Sequence, residues 1–91
     1  MVTGIALINV AHGAVNSAAQ ALAALEGISE VYSVSGNYDL VAIIRVRDND
    51  ELAHLMTDEI GRVEGISETH TMLAFRAFSR HDLEAMFALG G

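Results

Sequence analysis

The sequence predicts a single α+β domain over residues 1–91, with the element order βαββαβ, an antiparallel sheet and two helices on one of its faces. Three observations predict it. Apolar residues switch between strand and helix spacing in that order along the chain. The pentapeptide Glu26-Gly27-Ile28-Ser29-Glu30 recurs as Glu64-Gly65-Ile66-Ser67-Glu68, each copy at a helix end ahead of a strand, so each half reads as βαβ. A chain of 91 residues also leaves room for one core only, since a domain usually takes about 100–200 residues. Together these give the ferredoxin-like, or split-βαβ, pattern.

The elements follow in order. Val2–Val10 is rich in β-branched and aliphatic residues and reads as a strand, broken by Ala11-His12-Gly13. From Ala14 the period changes: Val15, Ala18, Ala19, Leu22 and Leu25 fall at helical spacing, and Gly27 sits where a left-handed residue ends a helix. Val31–Ser35 reads as the second strand. Gly36-Asn37 then predicts a tight turn, because both residues tolerate positive φ. Leu40–Arg47 (LVAIIRVR) is the third strand. Asp48 and Glu51 have the spacing of a capping box, and the helix after them carries Leu52, Leu55, Met56, Ile60 and Val63 on one face. Gly65 ends that region, and Thr69–Phe78 reads as the fourth strand. His81–Leu89 predicts a short C-terminal helix with Leu83, Met86 and Phe87 as its apolar side.

The strand faces predict how copies associate. An antiparallel sheet with helices on one side alternates towards polar where its other side meets water. The third strand does not. One set is Leu40, Ala42, Ile44 and Val46; the other is Val41, Ile43, Arg45 and Arg47. The first strand is apolar on both faces for most of its length. The helix-free face therefore needs a cover, most simply a second copy, and a homodimer through the sheet is expected. A hydrophobic fraction of 52% agrees, being more than one small core needs.

Composition excludes several functions. A net charge of −7, with Lys and Arg totalling 5, leaves no basic stripe for phosphates, so neither nucleic acid nor an anionic membrane surface is an expected partner. The absence of Cys removes disulfides, thiolate metal sites and a thiol nucleophile. The Ala-rich start, Met1 to Ala24, lacks the basic flank of a signal peptide and is interrupted by Asn9, His12, Asn16, Ser17 and Gln20. A folded cytoplasmic domain is expected.

Motifs for catalysis are missing: no GxSxG, phosphate-binding loop, GxGxxG or HExxH occurs. His12, His54, His70 and His81 do not pair at helical spacing, so no metal site and no cofactor are expected. His54 reads as the solvated side of a helix, His12 as part of a turn and His81 as the start of the last helix. His70 lies on a strand. Arg45 and Arg47 share a strand face and are expected in salt bridges.

The most informative segment is Ser35-Gly36-Asn37-Tyr38-Asp39-Leu40. Two readings stand. It is a polar-tipped hairpin with Tyr38 over its base, or it receives a ligand. In the second reading, backbone N–H groups at a Gly turn receive a carboxylate. Asp39 takes an ammonium group, and Tyr38 forms a flat wall, an arrangement suited to a free amino acid. Composition alone favours the first.

The run Val34-Ser35-Gly36-Asn37-Tyr38-Asp39-Leu40-Val41 resembles the TGxYD hairpin of the Lrp/AsnC (feast/famine) transcriptional regulators. Gly65-Ile66 followed by Thr69-His70-Thr71 resembles that family's entry into its last strand. The resemblance runs from Val2 to about Phe78 and is to the effector-binding and oligomerising RAM domain. It implies a homodimer joined through its sheets, extendable to rings such as an octamer, with amino-acid effectors in clefts between subunits. It implies that Gly36, Asn37, Tyr38 and Asp39 form the effector loop, that Asp39 meets the ligand amine, and that Thr69 and Thr71 supply hydroxyls from the other wall. Full regulators of the family place a DNA-reading unit before this domain, whereas this chain begins at the first strand. The expectation is a stand-alone sensing and oligomerisation module linked to transcriptional regulation, not an enzyme, which co-assembles with a full-length regulator as a further partner. Two alternatives remain: a purely structural adaptor, and a small dimeric α+β barrel enzyme using His70 and Arg76 on the fourth strand.

Overall fold

The computed structural model describes residues 1–80. Its strands are β1 (Val2–Val10), β2 (Ile28–Ser33), β3 (Leu40–Val46) and β4 (Ile66–Leu73). Helix α1 is Val15–Ala23 and α2 is Asn49–His54, which runs on as a π-helical stretch (Leu55–Glu59) and a 3-10 turn (Ile60–Arg62). The strands form one antiparallel sheet in the order β2-β3-β1-β4. The expected βαββαβ order is thus present. The C-terminal helix expected at His81–Leu89, with Leu83, Met86 and Phe87, lies outside the described residues.

One face of the sheet makes the core. Ala6 and Ile8 from β1 and Leu40, Ala42, Ile44 and Val46 from β3 are buried under Ala18 and Leu22 of α1 and under Leu55 and Ile60. Burying each Leu or Ile contributes roughly 1.5–3 kcal/mol, so these rows drive the assembly of the sheet with its helices. Ala6 and Ala42 are register partners, and their small side chains let the helical layer sit close.

The second helix departs from a uniform α-helix for a packing reason. Leu55 and Ile60 are both buried, yet stand five residues apart. An α-turn would rotate them off a common face. The Ile60 N–H instead donates to the Leu55 carbonyl, and this wider π-turn returns both side chains to the sheet. Val63, expected on the same helical face, is already extended with ψ 121°. The cap is also modified. Asp48 accepts from the Glu51 N–H at 2.9 Å, as expected. The Glu51 carboxylate, however, reaches one residue beyond the cap, to the Arg47 N–H (3.0 Å) and guanidinium (3.1 Å). Those two contacts hold the Glu51 carboxyl below its ordinary pKa.

Two strands differ from their expected bounds. β2 begins at Ile28 rather than Val31 and ends at Ser33 rather than Ser35, because Ile28 enters the ladder opposite Ile44 directly after the turn. The polar Ser29 and Glu30 belong to an exposed edge strand and look like loop in the sequence. β4 is Ile66–Leu73 rather than Thr69–Phe78: Ile66 already pairs with Val10, and the last paired residue is Leu73, opposite Gly4. β3 ends at Val46, one residue short of Arg47.

The repeated pentapeptides do the same work in both halves. The Gly27 carbonyl accepts from the Arg45 N–H (2.8 Å), and the Gly65 carbonyl accepts from the Ala11 N–H (2.6 Å). Each locks the start of an edge strand to its neighbour. Gly27 is not adjacent to the helix end, as expected from sequence; α1 stops at Ala23, and Gly27 sits inside a turn closed by Ile28 N–H to the Leu25 carbonyl (3.2 Å). Gly65 has φ +92°, and a Cβ there meets the Ala14 Cβ at 2.7 Å. Gly36 has φ +105° with nothing within 4 Å. Gly65→Ala is therefore expected to cost about 2–4 kcal/mol, strain plus overpacking, and Gly36→Ala only about 1–2 kcal/mol, strain alone. Urea unfolding of the two variants checks the order.

Candidate functional site

The hairpin loop between β2 and β3 is wider than the tight turn expected. Residues 34–39 form it, closed by the Val34 N–H donating to the Asp39 carbonyl at 3.0 Å. Gly36 alone takes positive φ; Asn37 does not. Gly36 and Asn37 are exposed at the tip, while Tyr38 and Asp39 are half-buried at the base.

Asp39 is held against β1 twice. Its N–H donates to the Ile8 carbonyl (3.0 Å), and its Oδ2 accepts from the Val10 N–H (2.9 Å). This happens where β1 loses its regular register with β4, between Asn9 and Val10. One carboxylate oxygen thus has a structural duty that the sequence does not announce. Tyr38 meets His70 edge-on, ring centroids 5.9 Å apart, and His70 lies 3.0 Å from the Glu68 carboxylate. His70 and Glu68 escaped the sequence reading as members of this cluster. Their signal was their alternation on β4, which places them on one face.

That alternation also separates the expected site residues. His70 pairs with Leu7 and Met72 with Ile5, on the helix-free face. Thr69 and Thr71 pair with Ile8 and Ala6 and therefore point to the helix side. The Thr71 hydroxyl lies 3.6 Å from the Met56 sulfur. Thr69 borders a cavity of about 200 Å³ with Met56, Ile60, Ile66, Ser67 and Glu68. Within one chain, then, the Gly36–Asp39 loop and the two threonines do not face a common cleft. A larger depression of about 410 Å³ lies at the other end of β3, among Met1, Glu26, Arg45, Arg47 and Glu51, far from the loop. Its walls are occupied by ion pairs: Arg45 with Glu30 (3.8 Å) and Arg47 with Glu51 (3.1 Å), the salt bridges expected of these arginines.

The helix-free face is apolar at its centre. The register gives two rows across it: Tyr32, Val41, Leu7, His70 and Glu30, Ile43, Ile5, Met72. Tyr32 and Met72 are 51% and 48% exposed. The Tyr32 hydroxyl donates to Glu30, which raises the phenol pKa. Of the residues considered for catalysis, Arg76 lies beyond the end of β4 rather than on it, and His70 is engaged by Glu68 and Tyr38. His54, exposed as expected, is 2.7 Å from Asp58. Among the described residues no cluster of three or more His, Asp or Glu forms a metal-binding group, and no helix is long and apolar enough to cross a membrane.

Comparison with known proteins adds the family. The model of the Lrp/AsnC ligand binding domain matches residues 3–83. The HTH-type transcriptional regulator FL11 of Pyrococcus furiosus is 37% identical over 70 residues, 77% of this chain and 46% of the relative. The chain thus spans about half the length of the curated relatives it matches. TTHA0845 of Thermus thermophilus is similar in structure at 44% identity, with a TM-score of 0.82, covering 88% of this chain and all of that one. The Neisseria meningitidis regulator NMB0573, solved as an L-Met complex, shares the fold at 9% identity, with a TM-score of 0.77, covering 87% of this chain and 53% of that one.

Proposed function

The chain belongs to the Lrp/AsnC ligand-binding domain family, and from that membership we propose that it is a small-molecule-sensing and oligomerisation module of transcriptional regulation. We propose a free amino acid as its effector, a homodimer extendable to a ring such as an octamer as its assembly, and a full-length regulator of the family as a further partner in the cytoplasm. It carries no DNA-binding or catalytic role of its own in this reading. The net charge of −7 supports the first of these, because such a surface repels a phosphate backbone.

The observation that carries the reading is the division of the expected site between two faces. The Gly36–Asp39 loop stands at the sheet end beside Tyr38 and His70, while Thr69 and Thr71 face the helix side. A cleft that uses both must be built from two copies, at a ring contact outside the sheet-to-sheet interface, because Thr69 and Thr71 face away from that interface. Ligand binding then couples directly to assembly, which is what an oligomerisation switch requires. The loop of one copy supplies Gly36, Asn37, Tyr38 and Asp39, and the neighbour supplies Thr69 and Thr71.

The test is thermal melting against the common amino acids at about 10 mM, beginning with L-Met because of the Neisseria complex. An effector of dissociation constant near 100 µM stabilises by roughly 2.7 kcal/mol per site, about 10 °C or more for a domain of this size. A selective shift supports the sensor. A flat panel sinks it and favours the structural adaptor, the second reading, for which Asp39 bound to the Val10 N–H is the supporting observation.

A further inference from the structure

Two irregularities of the chain meet on the helix side of β4. The first is a bulge. Asn9 pairs with Glu68 but Val10 pairs with Ile66, so Ser67 has no partner on β1 and Ile66 returns to the face that Thr69 and Thr71 share. The second is the π-helical stretch that seats Leu55 and Ile60 on the sheet. Met56 belongs to it and reaches β4, its sulfur 3.6 Å from the Thr71 hydroxyl. Bulges and π-turns both recur beside functional sites. Between these two lies the cavity of about 200 Å³, with Met56, Ile60 and Ile66 as apolar walls and Thr69 at its edge. Glu68 also borders it, but strand alternation sets that side chain on the opposite face, where its carboxylate lies 3.0 Å from His70. Among the described residues no arginine lines the cavity; Arg62, next to Gly61 on the rim, is exposed.

We propose that this cavity receives the effector's side chain, and that the effector is an amino acid with an uncharged aliphatic or thioether side chain, the size of leucine or methionine. The inference rests on the amino-acid-sensing reading above and adds the class of amino acid. The two walls of the cleft divide the work. The loop of one copy, Gly36 to Asp39, meets the carboxylate and ammonium groups that every free amino acid carries, so it does not discriminate among them. Discrimination falls to the neighbour's wall, where the cavity opens beside Thr69. Size is the first argument. At the ~30 Å³ a water takes up in the liquid, the cavity holds roughly six or seven groups of that size. A side chain of about four heavy atoms enters, and an indole does not. Polarity is the second argument. Apolar walls give a side-chain amide, carboxylate or ammonium no partner in exchange for the water it loses. Met56 sets the class, because its unbranched thioether packs against apolar groups of differing shape.

Calorimetric titration of the full chain tests the class. Methionine and leucine are compared with their near-isosteres glutamine and asparagine, and with glutamate and lysine, on wild type, Met56→Leu and Met56→Glu. The expected result is that methionine or leucine binds wild type at least 10-fold more tightly than the amide and charged amino acids. Met56→Leu keeps that order. Met56→Glu weakens methionine and leucine at least 10-fold and makes lysine the tightest ligand, with the circular dichroism of the folded chain retained, since Met56 is only half-buried. If Met56→Glu does not fold, the near-isosteric Met56→Gln carries the test, with methionine affinity expected to fall about 10-fold. Tightest binding of an amide or charged amino acid by wild type overturns the class and leaves the amino-acid sensor standing. An unchanged order of affinities in Met56→Glu, or an unchanged methionine affinity in Met56→Gln, also overturns it, since the side chain then lies elsewhere. Binding of none of the amino acids removes the sensor and this inference together.

Discussion

Asp39→Asn is expected to abolish effector-induced stabilisation while leaving the melting temperature of the free protein close to wild type. The two duties proposed for this side chain separate in this variant. The Asn carbonyl still accepts the Val10 N–H that Asp39 Oδ2 accepts at 2.9 Å, so β1 stays tied to the loop. What disappears is the negative charge. A ligand ammonium closed into a cleft between subunits then faces no carboxylate, and stranding a desolvated charge costs about 3–5 kcal/mol. That exceeds the roughly 2.7 kcal/mol an effector contributes at 100 times its dissociation constant, so the shift of about 10 °C vanishes. Asp39→Ala loses both duties: the shift disappears, and the free protein loses about 1–3 kcal/mol because a half-buried N–H is left without its acceptor. Melting curves of the three proteins, with and without the effector, separate the roles. If Asp39→Asn keeps the full shift, Asp39 is a structural residue only. The simple alanine variant cannot make that distinction, because its loss of stability accompanies either role.

Much of this architecture is legible in the sequence, for identifiable reasons. The β3 alternation of Leu40, Ala42, Ile44 and Val46 against Val41, Ile43 and Arg45 survives intact as buried and open faces. The repeated Glu-Gly-Ile-Ser-Glu marks equivalent turns, because a positive-φ glycine whose carbonyl joins the neighbouring strand is needed at both places. Edge strands are harder to read. Ser29 and Glu30 in β2, like Ser67 and Glu68 in β4, are polar because they are exposed, and only their ladder partners reveal them as strand. The π-turn is hidden for a similar reason: Leu and Ile are apolar in either kind of helix, and only the sheet beneath them, which needs both Leu55 and Ile60, selects the wider turn. For the proposed site, only the resemblance to the family motif singles out the loop. The facing of Thr69 and Thr71 follows from β4 pairing with β1 and is invisible until that register is known.

Ile43→Asp is expected to raise the dimer dissociation constant by more than about 1000-fold and to leave a folded chain at high dilution. Ile43 points away from Leu40, Ala42 and Ile44 and is only half-buried in a single chain, so an aspartate there disturbs no core contact. Its neighbours on that face are Ile5 across the ladder and Glu30 on the edge strand. In a dimer closed by a two-fold axis every substitution occurs twice. Two carboxylates enter an apolar layer without partners, each at a cost of several kcal/mol, beside a Glu30 that adds repulsion. Concentration dependence supplies the check. The wild-type melting temperature should fall on dilution, because dimerisation stabilises the folded state by mass action, whereas that of Ile43→Asp should stay constant. A variant that sediments as a dimer at wild-type affinity would mean that another surface joins the copies. Arg45, two residues along on the same face, already shows how such a charge is tolerated at the margin: it is held by Ser29 (2.7 Å) and Glu30 (3.8 Å) and remains accessible to water. Position 43 offers no such partners, which is why an apolar residue stands there and why its exchange for a charge separates assembly from folding.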